Sequence, residues 1–197
     1  MRLALFDFDG TITDRDSFFD FLIFTFGFPR FMLGLAAVSP VLLMFLARLI
    51  PNWKAKEAVF RHFLNGVGAE FFDAAAAKYS TERVPAIVRS DALERIEWHR
   101  ERGHRIVVVS ASAEPWIRGW CDGLGLDLIG TRLQVAGGRL TGRIDGKNCQ
   151  GAEKVRRIRE RYRPDDYEYI YAYGNSGGDR DMLSLADEQY YNWVRVV

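Results

Sequence analysis

The residues best suited to chemistry by type and spacing stand almost at the start of the chain. They are Asp7-Phe8-Asp9-Gly10-Thr11-Ile12-Thr13, directly after the apolar run Leu3-Ala4-Leu5-Phe6. Side chains two apart on a strand point the same way, so a strand over residues 3–8 predicts that Asp7 and Asp9 leave one sheet edge together. Two carboxylates so placed repel unless a cation lies between them. Hard oxygen donors suit Mg²⁺, which keeps several waters and is commonly shared with a phosphate. Gly10 and Thr11 let the backbone turn and offer N–H groups to an anion. A carboxylate can attack phosphorus to give an acyl phosphate. A second can protonate the leaving oxygen and then activate water. The bland reading is an acidic strand end that meets solvent or a structural cation.

Three further features point to the same edge, each with a plain structural alternative. Ser110 closes the valine-rich run 105–109, where its hydroxyl and the adjacent N–H groups, that of Ala111 included, could hold phosphate oxygens. A serine that merely ends a strand is common. Lys154 lies near the start of a helical pattern, against the dipole preference, and an anion beside it would explain the placement. A solvated surface charge is the alternative. The stretch Gly174-Asn175-Ser176-Gly177-Gly178-Asp179 follows a tyrosine-rich run and would bring polar oxygens forward, unless it only caps a helix.

Gathering these groups requires a sheet. Apolar or β-branched runs predict strands at 3–8, 105–112, 126–130, 168–174 and 189–194. Helical patterns occupy 90–102, 113–123 and 151–162. Strands alternating with helices predict a parallel sheet with right-handed crossovers. Residues 132–144, with Gly137-Gly138 between alternating runs, predict a β-hairpin. Tyr167, Tyr169, Tyr171 and Tyr173 alternate, so one strand face packs. Residues 15–88 are mostly helical in pattern and read as a cap inserted between the first two core strands, leaving 1–14 and 89–197 as the core.

Within the insert, residues 31–47 carry no charge, with Pro40 near the middle and Arg30 and Arg48 at the ends. Seventeen residues is the low edge of a membrane span. The first expectation is a buried pair of cap helices broken at Pro40. A membrane-contacting surface and a true span are the alternatives.

Composition sets wider bounds. A chain of 197 residues suggests one domain, or one with an insertion. A net charge of +1 provides no global field to recruit nucleic acid, and Arg156, Arg157, Arg159, Arg161 and Arg163 read as a solvated helix end. Cys121 and Cys149 show neither a disulfide framework nor zinc spacing, and are expected to be small buried residues in a reducing compartment. The first apolar run is too short for a signal peptide. His62, His99 and His104 form no ligand pattern, and no G-x-G-x-x-G follows the first strand, against dinucleotide binding.

Taken in order, DFDGT, a serine after the second core strand, a lysine at a helix start and a G-x-x-x-x-D-x-x-M loop resemble the haloacid dehalogenase (HAD) superfamily. The cap position is similar to that of subfamily IB, which contains phosphoserine phosphatase and the bacterial phosphatidylglycerophosphatase C type. The resemblance implies an α/β fold, with a Rossmann-like parallel sheet and an inserted helical cap between the first and second core strands. It implies a Mg²⁺-dependent phosphomonoester hydrolase working through an aspartyl phosphate. Asp7 would be nucleophile and metal ligand, and Asp9 general acid and base with its carbonyl on the metal. Gly10, Thr11, Ser110, Ala111 and Lys154 would bind the phosphoryl group, and Asn175 and Asp179 would complete the metal site. One position departs from the family, which usually has aspartate where this chain has Asn175; weaker Mg²⁺ binding, or an impaired phosphate- or membrane-binding module, would follow. Phosphoserine phosphatases carry a flap glutamate where this chain has the shorter Asp16. The apolar cap, flanked by Arg30, Arg48, Lys54 and Lys56, points instead to a phospholipid-type phosphate such as phosphatidylglycerol phosphate, with a soluble metabolite as the alternative. The expected setting is cytoplasmic, with peripheral contact on the inner membrane.

Overall fold

In a computed structural model describing residues 1–197, the run after Met1 forms β1 (Arg2–Phe6), buried from Leu3 onward. Four helices follow, α1 (Ser17–Phe26), α2 (Phe28–Leu46), α3 (Asn52–Leu64) and α4 (Ala69–Lys78). Next come α5 (Ser90–Glu101), β2 (Arg105–Ala113), α6 (Pro115–Gly123), β3 (Asp127–Ala136) and β4 (Arg139–Asp145). The chain closes with α7 (Ala152–Tyr162), β5 (Tyr169–Gly174), α8 (Arg180–Leu183), β6 (Glu188–Tyr191) and β7 (Val194–Arg195). The strands make one sheet in the order β4-β3-β2-β1-β5-β6-β7. Its five inner strands are parallel, and each edge is antiparallel. Parallel strands are covered on both faces, which is why β1 reads as unbroken apolar sequence. One face packs against the helical insert, α5 and α6, and the other against α7 and α8. The chain runs outward from β1 in both directions, so the crevice at the carboxyl ends of β1 and β5 is the switch point where such folds bind ligands.

The insert enters and leaves at one place. Thr13 and Val88 form an isolated antiparallel bridge, flanked by hydrogen bonds from Asp14 N–H to the Ile87 carbonyl and from Arg89 N–H to the Ile12 carbonyl, both 2.9 Å. There we propose to divide the chain, with a core of 1–14 and 89–197 and an insert of 15–88. The insert is held to the core by aromatic packing. Phe21 stacks on Trp116 of α6 at 4.8 Å between centroids, with Phe18 and Phe60 beside it. Full burial of such a ring contributes about 1.5–3 kcal/mol. The β3–β4 arm leans on α3, and Gly142 passes so close that a Cβ there would lie 2.5 Å from Arg61 Cα.

Four expectations need correction. The first strand ends at Phe6 rather than residue 8, so strand alternation does not set the directions of Asp7 and Asp9. The strand expected at 126–130 and the first arm of the hairpin are one continuous strand, β3, turning at Gly137 and Gly138 with φ of 56° and 71°. The run 189–194 is not one strand but a second hairpin, turning at Asn192 and Trp193. The stretch 31–47 is not a buried broken pair: α2 is continuous through Pro40, and only Phe31, Gly34 and Val38 are buried. Proline lacks the N–H that would bond the carbonyl four residues back, and here the Ser39 hydroxyl donates to that Ala36 carbonyl at 2.8 Å. The helix therefore survives its proline.

Candidate active site

Asp7 is the first residue beyond β1, and its N–H still donates to the Tyr173 carbonyl at 2.9 Å. The chain then makes one wide turn, Phe8–Ile12, in which Gly10 has φ +77°. Behind it, Phe6 and Tyr173 stack at 4.2 Å and 6°, locking the ends of β1 and β5 in register. Asp7 is 6% exposed and Lys154 only 1%.

The Lys154 ammonium donates all three of its protons within the protein: to Asp7 Oδ1 at 2.6 Å, Asp179 Oδ1 at 2.7 Å and the Val109 carbonyl at 2.6 Å. Burial works against the lysine charge, but the two aspartates outweigh it and raise its pKa. Asp179 is held below the usual carboxylate range by Lys154 and the Ser176 donors, against the opposing effect of burial. Asp7 goes the other way: burial, with Asp179 and Asp9 nearby, pushes it up to about 7 despite Lys154. Two carboxylates thus share the one Lys154 ammonium.

Asp9 points elsewhere. Its Oδ1 accepts from Ser17 N–H at 2.7 Å, at the first turn of α1, where the helix dipole favours an anion. Its Oδ2 accepts from the Ser112 hydroxyl and, at 3.5 Å, from that of Ser110. A buried relay reaches it from the core, with Trp116 Nε1–H donating to Ser17 Oγ at 3.3 Å and that hydroxyl donating to Ser112 Oγ at 3.1 Å. Asp9 therefore ties insert to core.

The other expected residues also lie at this edge. The Thr11 hydroxyl donates to Asp7 Oδ2 at 3.2 Å. Ser110 Oγ accepts from Ser112 N–H at 2.9 Å, and the Ala111 carbonyl accepts from Lys56 Nζ at 2.7 Å. Asn175 lies against the turn, so close that a Cβ on Gly10 would meet its Nδ2 at 2.1 Å. Asp179 Oδ2 accepts from Asn175 N–H, Ser176 N–H and the Ser176 hydroxyl at 3.2, 2.9 and 2.7 Å. Both Asp179 oxygens are thereby engaged, which suits a residue that shapes the loop. No three His, Cys, Asp or Glu side chains converge on one ion-sized point.

Sequence reading missed Ser17, Ser112 and Trp116, and took Lys56 only as part of the basic flank of the apolar cap. Ser112 stands two places after Ser110 on a strand, a spacing that puts both on one side. The Lys56 contact with the Ala111 carbonyl joins positions 55 apart and leaves no local signal.

Comparison with known proteins adds four findings. A family model described as haloacid dehalogenase-like hydrolase matches residues 4–184. Protein CicA of Caulobacter vibrioides is 38% identical over 195 residues, covering 98% of this chain and 86% of that protein. A phosphoserine phosphatase of Archaeoglobus fulgidus is 34% identical over 98 residues, covering 48% of this chain and 28% of that one. A solved structure from Bordetella pertussis Tohama I shares the fold with a TM-score of 0.83 at 22% identity, over 96% of this chain and 89% of that one.

Proposed function

The chain belongs to the haloacid dehalogenase-like hydrolase family, and from that premise we propose that it is a phosphatase that uses Mg²⁺ and passes the phosphoryl group through Asp7. The observation that carries this reading is the buried Asp7–Lys154–Asp179 triad at the sheet edge. A carboxylate attacks a phosphate, itself an anion, only where fixed positive charge offsets the repulsion. Lys154 supplies one such charge.

The residues present fit Mg²⁺. Asp7 Oδ2 has only the Thr11 hydroxyl as a partner, and the Asn175 carboxamide has no hydrogen bond within the protein. With the Asp9 carbonyl, these would hold an ion that takes one or two carboxylates, waters and substrate oxygens. When bound, the ion supplies charge that neutralises Asp7 and the phosphate together.

The protein's own groups then carry the steps. Asp7 attacks phosphorus as the ester oxygen leaves with a proton from Asp9. Asp9 next takes a proton from water, which attacks the same phosphorus and frees Asp7. For this Asp9 must leave its contacts with Ser112 of the core and Ser17 of the insert, so the joint between the two and the chemistry meet in one carboxylate. The N–H groups of Gly10, Thr11 and Ala111 and the Ser110 hydroxyl receive the equatorial oxygens.

For substrate, a phospholipid-type monoester is favoured. The Asp16 carboxylate caps α1, its Oδ1 accepting from Phe18 N–H and Phe19 N–H at 2.9 and 3.3 Å, which commits one oxygen of the acid an amino-acid substrate would need. A groove of 910 Å³, lined by Pro51 and Trp53 just past α2 and by Gly177 and Gly178 of the loop after β5, lies beside the site, with Asp7, Asp9 and Lys154 outside its lining. A soluble metabolite is the second reading, favoured by the Lys56 ammonium, which donates to the Ala111 carbonyl at 2.7 Å and so brings a cation beside the expected phosphate-binding residues.

The deciding experiment is phosphate release from an aryl phosphate across a Mg²⁺ titration, beside Asp7→Asn. Turnover that needs Mg²⁺ and vanishes in the variant is expected. Turnover surviving in Asp7→Asn would remove Asp7 as nucleophile.

A further inference from the structure

The hairpin β6–β7 lies beyond residues 4–184, which the family model matches, yet its turn touches both catalytic loops. Tyr191 pairs with Val194, leaving a two-residue turn at Asn192 and Trp193 with φ of 50° and 64°. Turns with two positive φ values favour Asn-Gly. Asn192 is ordinary there, but a bulky side chain in the second position is an outlier. Such strain persists where the surroundings enforce it, and it concentrates at functional sites.

Two hydrogen bonds show what the turn does. Trp193 Nε1–H donates to the Thr11 carbonyl at 3.2 Å. Asn192 N–H donates to the Gly174 carbonyl at 2.9 Å. Thr11 is the residue whose hydroxyl meets Asp7 Oδ2. The Gly174 carbonyl shares one planar peptide with Asn175 N–H, which donates to Asp179 Oδ2, and Asp179 Oδ1 accepts from the lysine that holds Asp7. The turn thus reaches Asp7 along two independent routes. It rests on rigid packing: Tyr173 stacks on Tyr190 at 4.6 Å and meets the Trp193 ring at 5.6 Å.

We propose that the Asn192–Trp193 turn is a strap that sets the relative position of the loops after β1 and β5, with Trp193 as its positioning residue. In this strained conformation the Trp193 indole N–H reaches the Thr11 carbonyl. The kinetic part of the test rests on the phosphohydrolase reading above; the structural part does not.

Trp193→Phe keeps most of the ring and removes the N–H. Misplacing catalytic groups by a fraction of an ångström costs on the order of tenfold in rate. On an aryl phosphate, kcat should fall about tenfold with KM within about twofold of wild type. Without substrate, the amides of residues 9–12 should exchange with deuterium markedly faster, while those of β3 stay unchanged. Trp193→Gly relaxes the backbone as well, and its kcat should fall at least as far whatever happens to Tm. Unchanged kcat in both variants would overturn the proposal, and so would a loss of turnover without faster exchange in 9–12. If wild type turns over no aryl phosphate, the exchange comparison decides alone.

Discussion

Lys154 shows how one residue's position converts into both stability and chemistry. Its three donors are matched by two carboxylates and a carbonyl, all inside the protein. Breaking a buried ion pair by deleting one partner costs about 3–5 kcal/mol, because the remaining charge has nowhere to go. Lys154→Met should therefore lower unfolding free energy by about that much in urea titration and cut kcat by about 10²-fold or more. A variant of wild-type stability would mean that Asp7 and Asp179 do not need the lysine. Asn175 tests the metal side of the same site. Asn175→Asp adds the carboxylate that the family usually has there, and calorimetry should find Mg²⁺ bound about tenfold tighter or more, which is about 1.4 kcal/mol. Unchanged affinity would place the ion away from residue 175. His99 makes a separate prediction, remote from the carboxylates. Burial, with His104 and Arg95 adding to it, pushes the imidazole down to about 3 from 6.5. The folded protein refuses a proton that the unfolded chain takes up below pH 6.5. His99 therefore contributes stability above that pH, lost as pH falls toward 3 at up to about 1.4 kcal/mol per unit. Between pH 7 and 5, wild type should lose more unfolding free energy than His99→Phe; equal losses would show that the imidazole is protonated in the folded state.

The elements that hold these residues differ in how plainly their sequences declare them. Parallel strands buried on both faces read as apolar runs, so β1, β2 and β5 were visible to within two residues at their start. The hairpin at Gly137-Gly138 was visible because glycine supplies positive φ without strain. The hairpin at Asn192-Trp193 was hidden for the complementary reason: tryptophan signals a strand, and only tertiary contacts to Thr11 and Tyr173 hold it in a turn. The continuity of α2 was hidden because proline normally breaks a helix, and the compensating Ser39 hydroxyl is a detail of side-chain direction. At the site, Asp7, Asp9, Lys154 and Asp179 were legible from motif order. The Ser17–Ser112 link was not, because it joins positions 95 apart through a packing contact. That joint between insert and core can be probed from the far side. Gly142, at φ +69°, faces Arg61 backbone that cannot swing aside. Gly142→Ala should destabilise the protein by about 1–3 kcal/mol in thermal or chemical denaturation. A neutral result would mean that the β3–β4 arm is free to move off α3.

At the scale of the whole molecule, the sheet and its site face one way, and the insert carries an apolar surface that the core does not cover. Leu33 is 74% exposed and Leu43 63%, with Phe28, Met32, Leu46, Leu49 and Trp53 also exposed. Between Asp20 and Glu57 the chain has no acidic residue, while Arg30, Arg48 and Lys54 flank the apolar face. We propose that this apolar helix face, rimmed by cations and with an aromatic ring at its end, meets the boundary of an anionic bilayer rather than spanning it. With the enzyme reading proposed above, such docking would place the mouth of the groove at Trp53 against the lipid headgroups. Flotation with vesicles gives the test. Binding is expected to vesicles containing phosphatidylglycerol, to weaken on their replacement by phosphatidylcholine, and to fall as salt shortens the range of the cation contribution. Leu33→Asp with Leu43→Asp should abolish binding while leaving turnover of a soluble aryl phosphate unchanged, because neither side chain approaches the triad. Flotation that persists in the double variant would move the contact away from α2. Wild-type protein that ignores vesicles of either composition would remove the lipid surface altogether and leave a soluble phosphate ester, met by Lys56 and Asp16, as the substrate to pursue.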